Sequence, residues 1–326
     1  MLTRYMTQMS LAEVGAAGQR AFSEAEVVVV GAGGLGCALL PCLAGSGVGH
    51  IHIVDGDSVE ESNLHRQTFY TTDDIGKSKA HCMCKRLSSL NPTIHITPHN
   101  FYMTSHSAEK IISEDVIVID AADNFATTYM LSDICQSKKN ILISGSAVGL
   151  GGYAGVFCGN SPSYRAVFPD LSRTAPDCRV GGVLGPVVAL IGTIQAQLCL
   201  SLLLNKESSL VGTFYRWDAQ EMRMSQFSFH SAKEPRKKWP FLSWQDIDDD
   251  DLVIDVRIPG EKPTLSRNNI RSIPLDQFTV EERDLSYNGR IVLCCQTGIR
   301  AARAAEQFYE RGKRDIAVLA LGKQAL

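Results

Sequence analysis

The stretch Val27–Gly36, "VVVVGAGGLG", constrains this chain more than any other. A valine run is a strand buried on both faces, and Gly31, Gly33, Gly34 and Gly36 after it make a tight turn that opens a helix. A strand left in this way belongs to a βα unit, whose next strand lies parallel to it. The alternation continues with a helix near Leu35–Ser46, the strand "HIHIVD", a polar helix near Lys77–Leu90, "HITPHN", "DVIVIDAADN", a helix near Thr127–Lys138 and "NILISGSAV". This part reads as α/β, a doubly wound, mostly parallel sheet with helices on both faces. "YAGVFCG" and "TFYRWDAQEMRMSQFSF" then alternate as antiparallel strands. The basic, proline-containing Ser231–Pro240 reads as a linker between a unit over residues 1–230 and a small αβ unit over 241–326. The latter carries "DLVIDVR", "RIVLCC", a helix from Ala301 to about Arg311 and "DIAVLAL".

Bulk properties narrow the function. A formal net charge of −3 over 326 residues gives no electrostatic footprint for nucleic acid. The ten cysteines are scattered without paired CxxC spacing, so reduced thiols in a cytoplasmic protein are expected rather than a disulfide framework. The start, "MLTRYMTQMS", lacks the apolar region of a signal peptide. Val183–Leu204 is long and apolar enough to span a bilayer, but Pro186, Gln195 and Gln197 interrupt it. It is expected to be a core or subunit-interface helix, with no membrane partner.

The glycine turn has the context of a nucleotide site: a strand before it, a helix after it, and Asp55 ending the next strand, where a carboxylate accepts from ribose hydroxyls. The residues beyond the turn select the nucleotide. "VDGDSVEESNLHRQ" supplies Asp55, Asp57, Asn63, Arg66 and Gln67; "GKSKA" supplies Lys79; "DAADN" ends a strand with Asp123 and Asn124. A dinucleotide that keeps its pyrophosphate needs little cationic charge there. Cleaving ATP builds charge on the phosphates, which calls for cations aimed at them and a carboxylate on Mg²⁺. Arg66, Lys79 and Asp123 meet that demand, so the expected ligands are ATP and Mg²⁺.

Together, "GAGGLG", "VDGDSVEESNLHRQ", "GKSKA", "DAADN" and "CRVGGVLGPVVALIGTIQAQ" resemble the ThiF/MoeB/HesA family, relatives of the ubiquitin-activating enzymes, over roughly Leu2 to Phe229. The resemblance implies a Rossmann-like ATP site, a homodimer, and adenylation of the C-terminal glycine of a ubiquitin-like sulfur carrier ending in Gly-Gly. It also implies that the four glycines and Asp55 seat the nucleotide and that Asp57 and Asn63 line its site, with Gln67 and Asn124 beside them. Arg66 and Lys79 would act on the phosphates and Asp123 on Mg²⁺. Two departures stand out. The family's Arg-Tyr-x-Arg-Gln run is "RYMTQ" here, so Arg4 is kept while Thr7 replaces the arginine that reaches the partner subunit's ATP. The cysteines that hold structural zinc in many members are Ser163 and Ala166 in "PSYRAVFP", so no zinc site is expected.

Two cysteines are candidates for chemistry. Cys178 lies beside Arg179 before a glycine-rich turn, a setting that favours thiolate, and the resemblance implies a covalent link to the carrier at this position. In "VLCCQTGIRAARAAEQF", Cys295 opens a turn to Arg300 at the start of a helix, where successive N–H groups converge on one side chain. Cys294, one strand residue earlier, should face the other way and pack. The loop, with "VIDVRIPGE" before it (Asp255, Arg257, Glu261), resembles a rhodanese domain, a sulfurtransferase carrying sulfur as a cysteine persulfide. The expected function is adenylation of a sulfur carrier and its sulfuration to a thiocarboxylate for thiazole synthesis. A cysteine desulfurase or thiosulfate would be the sulfur donor. Alternatives are the same chemistry for molybdopterin or tRNA thiolation, an NAD-dependent oxidoreductase, and a non-catalytic carrier-binding scaffold.

Overall fold

In the computed structural model, which describes residues 2–169, 182–205, 208–236, 239–267 and 269–322, the valine run forms β1 (Glu26–Val30). Val28 and Val30 enter one apolar cluster and Val27 and Val29 another, so the strand separates two core layers. It lies inside an eight-stranded sheet with β2 (His50–Val54), β3 (His95–His99), β4 (Ile117–Asp120), β5 (Ile141–Val148), β6 (Gly151–Cys158), β7 (Thr213–Asp218) and β8 (Arg223–Ser228), in the order β3-β2-β1-β4-β5-β6-β7-β8. Pairing is parallel from β3 through β5 and antiparallel from β5 through β8. Chain order reverses between β1 and β4, and open α/β sheets hold ligands at the strand ends beside such a reversal.

Short helix α1 (Met6–Met9) and α2 (Gly15–Glu24) precede the sheet. Beyond β1, α3 (Gly34–Ser46) and α4 (Lys79–Leu90) cover the Val27 face, while α5 (Ser105–Ile111) and α6 (Phe125–Lys138) cover the Val28 face. The polar helix starts two residues later than its pattern suggests because Ser78 caps it, accepting from His81 N–H. After α7 (Tyr164–Val167), the apolar segment forms α8 (Gly185–Leu204), which packs chiefly on α3 and on β5 and β6. By length and hydropathy α8 passes for a membrane span, but half of it is buried within the protein. Gln195, read from sequence as an interruption, is fully buried and donates from Nε2 to the Asp120 carbonyl at 2.7 Å.

A second, all-parallel sheet has the order β11-β10-β12-β13-β9. Its strands are β9 (Phe241–Leu242), β10 (Leu252–Asp255), β11 (Ile270–Ser272), β12 (Ile291–Cys295) and β13 (Ile316–Ala320), with short α9 (Glu282–Leu285) and long α10 (Ile299–Glu310). The face carrying α10 shares one apolar cluster with the α6 face of the large sheet. Arg165 reinforces the junction: it makes a bidentate pair with Asp133 at 2.7 and 2.8 Å, donates to Trp239 O, and lies over the rings of Tyr129 and Phe241.

The segment read as a linker is docked along part of its length. Glu234 accepts from Ser163 N–H and Ser163 Oγ, both at 2.7 Å. Ser163 is the position where many relatives by resemblance place a zinc thiolate, and here its hydroxyl and amide hold the segment through a carboxylate. Ser163→Ala removes one charge-assisted bond from a buried site and should cost about 1–3 kcal/mol, read as a lowered urea midpoint; an unchanged midpoint would show that the contact holds nothing.

Candidate functional site

The loops after β1, β2 and β4 meet at one end of the large sheet and carry nearly all of the nucleotide candidates. Gly31 is left-handed, with φ +103°, and a Cβ there would lie 2.5 Å from the Ala121 carbonyl oxygen. Only glycine lets the turn pass the end of β4 so closely. Gly36 abuts the Gly31 carbonyl and Gly34 abuts Val188 of α8, so both serve helix packing. Gly33 differs: among the described residues, a Cβ there would meet only Gln67 Nε2, at 3.6 Å, an ordinary contact distance.

Asp55 braces the turn. One carboxylate oxygen accepts from Ala32 N–H and the other from Asp57 N–H, each at 2.7 Å. Each oxygen keeps a lone pair for a further donor. Burial pushes the Asp55 carboxyl up, opposed by Lys79 and by these two amides. Lys79, buried at the first turn of α4, donates to Asp57 Oδ2 at 3.1 Å, and the Tyr102 hydroxyl donates to Asp57 Oδ1 at 2.7 Å. Tyr70, which is buried, donates to the Ala32 carbonyl at 2.7 Å. The two tyrosines and the Asp57–Lys79 pair thus fix the acidic loop against the glycine turn.

Arg66 is half-exposed and contacts the Ser62 carbonyl and His65 Nε2, with no carboxylate among the described residues. Asp123 is exposed and has no hydrogen bond or ion pair among the described residues. Gln67 donates to Asn63 Oδ1 at 2.9 Å, leaving its own Oε1 buried without a partner among the described residues. An orphaned amide oxygen, a glycine with room for a close approach, a guanidinium without a counter-ion and a carboxylate without a partner among the described residues fit a polar, phosphate-bearing ligand with its cation. Asn124 Oδ1 caps α6 by accepting from Ala126 N–H at 3.0 Å, which leaves its amide N–H₂ as the part able to face a ligand.

Sequence reasoning missed Tyr70, Tyr102, Asp120 and Gln195. Asp120 ends β4 fully buried, accepting from Thr128 and Ser144 hydroxyls at 2.7 and 2.8 Å and from Ala122 N–H. The only sequence signal was a charged residue closing an apolar strand.

The second candidate lies at the end of β12. Cys295 Sγ accepts from Gly298 N–H at 3.1 Å and Ala301 N–H at 3.3 Å, at the start of α10. Gly298 is left-handed, with φ +84°, which turns the loop around the sulfur. Arg300 pairs with both oxygens of Glu261 at 2.6 and 2.7 Å, and hydrogen bonding from Arg300 holds the Glu261 carboxyl below its ordinary range. Asp255 and Arg257 form a second bidentate pair, with Arg257 Nη1 buried and unpartnered among the described residues. Cys294 enters the cluster on the opposite face of the sheet, and burial pushes its thiol up. Burial likewise pushes the Cys37, Cys158 and Cys199 thiols to about 12, as packing residues. Cys178 lies outside the described residues.

The two candidate sites are neighbours. Gly322 donates to the Gln296 carbonyl, next to Cys295, and a Cβ on Gly322 would sit 3.9 Å from Asn124 Nδ2.

The sequence model of the ThiF family matches residues 5–239. The chain belongs to the ThiF family. A Culex quinquefasciatus protein named adenylyltransferase and sulfurtransferase MOCS3 is 40% identical over 240 residues, which are 73% of this chain and 54% of that protein. The chain thus spans about half the length of that relative. The sulfur carrier protein adenylyltransferase of Thermus thermophilus is 39% identical over 228 residues, 68% of this chain and 84% of its own. Among solved structures, E. coli MccB with ATP superposes with a TM-score of 0.59 over 70% of each chain at 22% identity, which shows a shared fold. The large, mostly parallel sheet is therefore the ThiF-type Rossmann-like fold.

In this ThiF-family site, complete burial pushes the Asp120 carboxyl up to about 6, against 3.8 for an ordinary aspartate. A carboxyl raised in the folded state favours folding while protonated; that contribution is present below the unfolded value and lost as pH rises through the folded one. Relative to Asp120→Asn, the wild type should lose roughly 2 kcal/mol of urea stability between pH 4 and pH 7. A difference that stays flat over that range would contradict the desolvation of Asp120.

Proposed function

We propose that this protein adenylates the C-terminal glycine of a ubiquitin-like sulfur carrier with ATP and then converts it to a thiocarboxylate. The observation that carries the reading is the pair of charges without a counter-ion among the described residues, Arg66 and Asp123, beside the glycine turn. A hydride-transfer enzyme would leave both without a task. The names of the Culex and Thermus relatives support the same reading.

ATP is a substrate here. A carboxylate is a poor electrophile, so the carrier's terminal carboxylate attacks the α-phosphorus; an O–P bond forms, the bond to the β-phosphate oxygen breaks, and pyrophosphate leaves. Arg66 and Lys79 offset the charge that builds on the phosphates, with Asp57 holding the Lys79 ammonium in place. Gln67 and Gly33 receive the nucleotide, and Asp55 keeps the turn in shape. Mg²⁺, held by Asp123, would neutralise phosphate charge.

The 241–326 unit is read as a rhodanese-like sulfurtransferase domain, and residues 231–240 as the segment joining it to the 1–230 adenylation domain. Cys295 would carry the transferable sulfur, taken from a cysteine desulfurase or thiosulfate, with Gly298 and Ala301 N–H groups stabilising anionic sulfur. Arg300, fixed by Glu261, lies at the same turn as one half of a bidentate ion pair. Cys295 is fully buried, so the residues that cover its sulfur must move aside for the carrier tail. The terminal persulfide sulfur attacks the acyl carbon and AMP departs with its bonding pair. A second thiolate, for which Cys178 is the candidate, attacks Cys295 Sγ, releasing the thiocarboxylate and leaving a disulfide. The closeness of Gly322 to Asn124 supports transfer within one chain. A homodimer, and thiazole synthesis as the destination, rest on the family resemblance and the Cys178–Arg179 pair.

Cys295→Ala should retain carrier-dependent pyrophosphate release and abolish thiocarboxylate formation, followed by the mass of the carrier; Asp123→Asn should abolish both. Loss of pyrophosphate release in Cys295→Ala would refute the division of labour, and full activity in Asp123→Asn would refute the site.

A further inference from the structure

Away from both candidate sites, the Val28 face of the large sheet carries four histidines. His50 and His52 alternate along β2, His95 and His99 lie on β3, and Glu26 on β1 is the register partner of His50. Residues two apart on a strand share a face, so β1 and β2 project one carboxylate and two imidazoles to the same spot. Glu26 Oε1 lies 2.7 Å from His52 Nε2 and 3.6 Å from His50 Nδ1, and one ligand atom from each residue falls within 4.8 Å of the others.

The geometry points to a transition-metal site, formed by Glu26, His50 and His52, for a late first-row divalent cation such as Zn²⁺. Metal–nitrogen and metal–oxygen bonds near 2.0–2.1 Å place tetrahedral ligand atoms roughly 3.3 Å apart, between the two separations of 2.7 and 3.6 Å. The outer nitrogens are engaged as metal-bound imidazoles require: His50 Nε2 meets Thr97 Oγ1 at 2.9 Å, and His52 Nδ1 meets His99 Nε2 at 3.0 Å. With His50 Nε2 donating to Thr97, Nδ1 turns a bare lone pair toward the Glu26 carboxylate, and a cation between them removes that repulsion. Side-chain exposures of 40% for Glu26, 30% for His50 and 14% for His52 leave a coordination position open to solvent. Two imidazoles and one carboxylate with an open position suit zinc, cobalt or nickel better than Mg²⁺. The site is distinct from the thiolate position at Ser163 and Ala166, and it lies roughly 15 Å along β1 from the glycine turn. The sequence hides it because its ligands come from two separate strands.

The full chain, stripped with chelator, is titrated with Zn²⁺ against a chromophoric competitor and with Co²⁺ by visible absorption. The site should take one equivalent, with a cobalt spectrum of nitrogen and oxygen ligation. Glu26→Gln, which preserves shape, and His52→Gln should each abolish stoichiometric binding. Thr97→Val, which removes only a hydroxyl outside the coordination shell, should weaken it about 10- to 100-fold. Binding that survives Glu26→Gln and His52→Gln, a sulfur-to-cobalt charge-transfer band, or no stoichiometric binding would each overturn the site.

Discussion

The tightest constraint in the molecule is the passage of Gly31 across the end of β4, against the Ala121 carbonyl. Because the backbone can approach that closely, β1 and β4 remain adjacent while their connections leave in opposite directions. The loops after β1 and β4 meet at this contact. Asp55 fixes the turn through Ala32 N–H, and Tyr70 fixes it through the Ala32 carbonyl. Asp120 and Gln195 hold the other wall: Asp120 collects two hydroxyls and an amide, and Gln195 holds the Asp120 carbonyl from α8. A side chain at position 31 would push these walls apart, and the residues behind the turn would lose their common focus.

Much of this was legible because strand burial writes a strong pattern. Four valines on a strand covered on both faces, and isoleucines alternating with histidines on its neighbour, give the parallel sheet directly. The residues that bear charge at the ends of these strands were legible for the same reason, since strand ends are where an α/β sheet places ligands. The parts that escaped are those whose meaning depends on a distant partner. Tyr102 gains its role only where it meets Asp57, and Gln195 only where it meets β4. The short strands β9 and β11 have two and three residues and no periodicity to read. Asp55, expected to accept from a ligand, braces the turn by accepting from Ala32 and Asp57 N–H, which no spacing in the chain reveals.

The second sheet is joined to the first by packing and by polar contacts. Arg165 links α6, α7 and the Trp239 carbonyl, and Glu234 ties the intervening segment to Ser163. Ser105 of α5 also bonds Asp246, bridging the two sheets on that side. These contacts put the Cys295 turn beside the loop of Asp123 and Asn124. On the proposed reading, a sulfur donor held next to the place where an acyl-adenylate forms would limit loss of that intermediate to hydrolysis.

The charged groups beside the glycine turn are the centre of this reading, and a crystal soaked with Mg-ATP tests them most directly. Arg66 and Lys79 are expected within hydrogen-bond reach of phosphate oxygens, with Asp123 in the coordination shell of Mg²⁺ and Gln67 Oε1 engaged. A complex in which the triphosphate binds with Arg66, Lys79 and Asp123 all directed away from it would contradict a role for this site in breaking ATP.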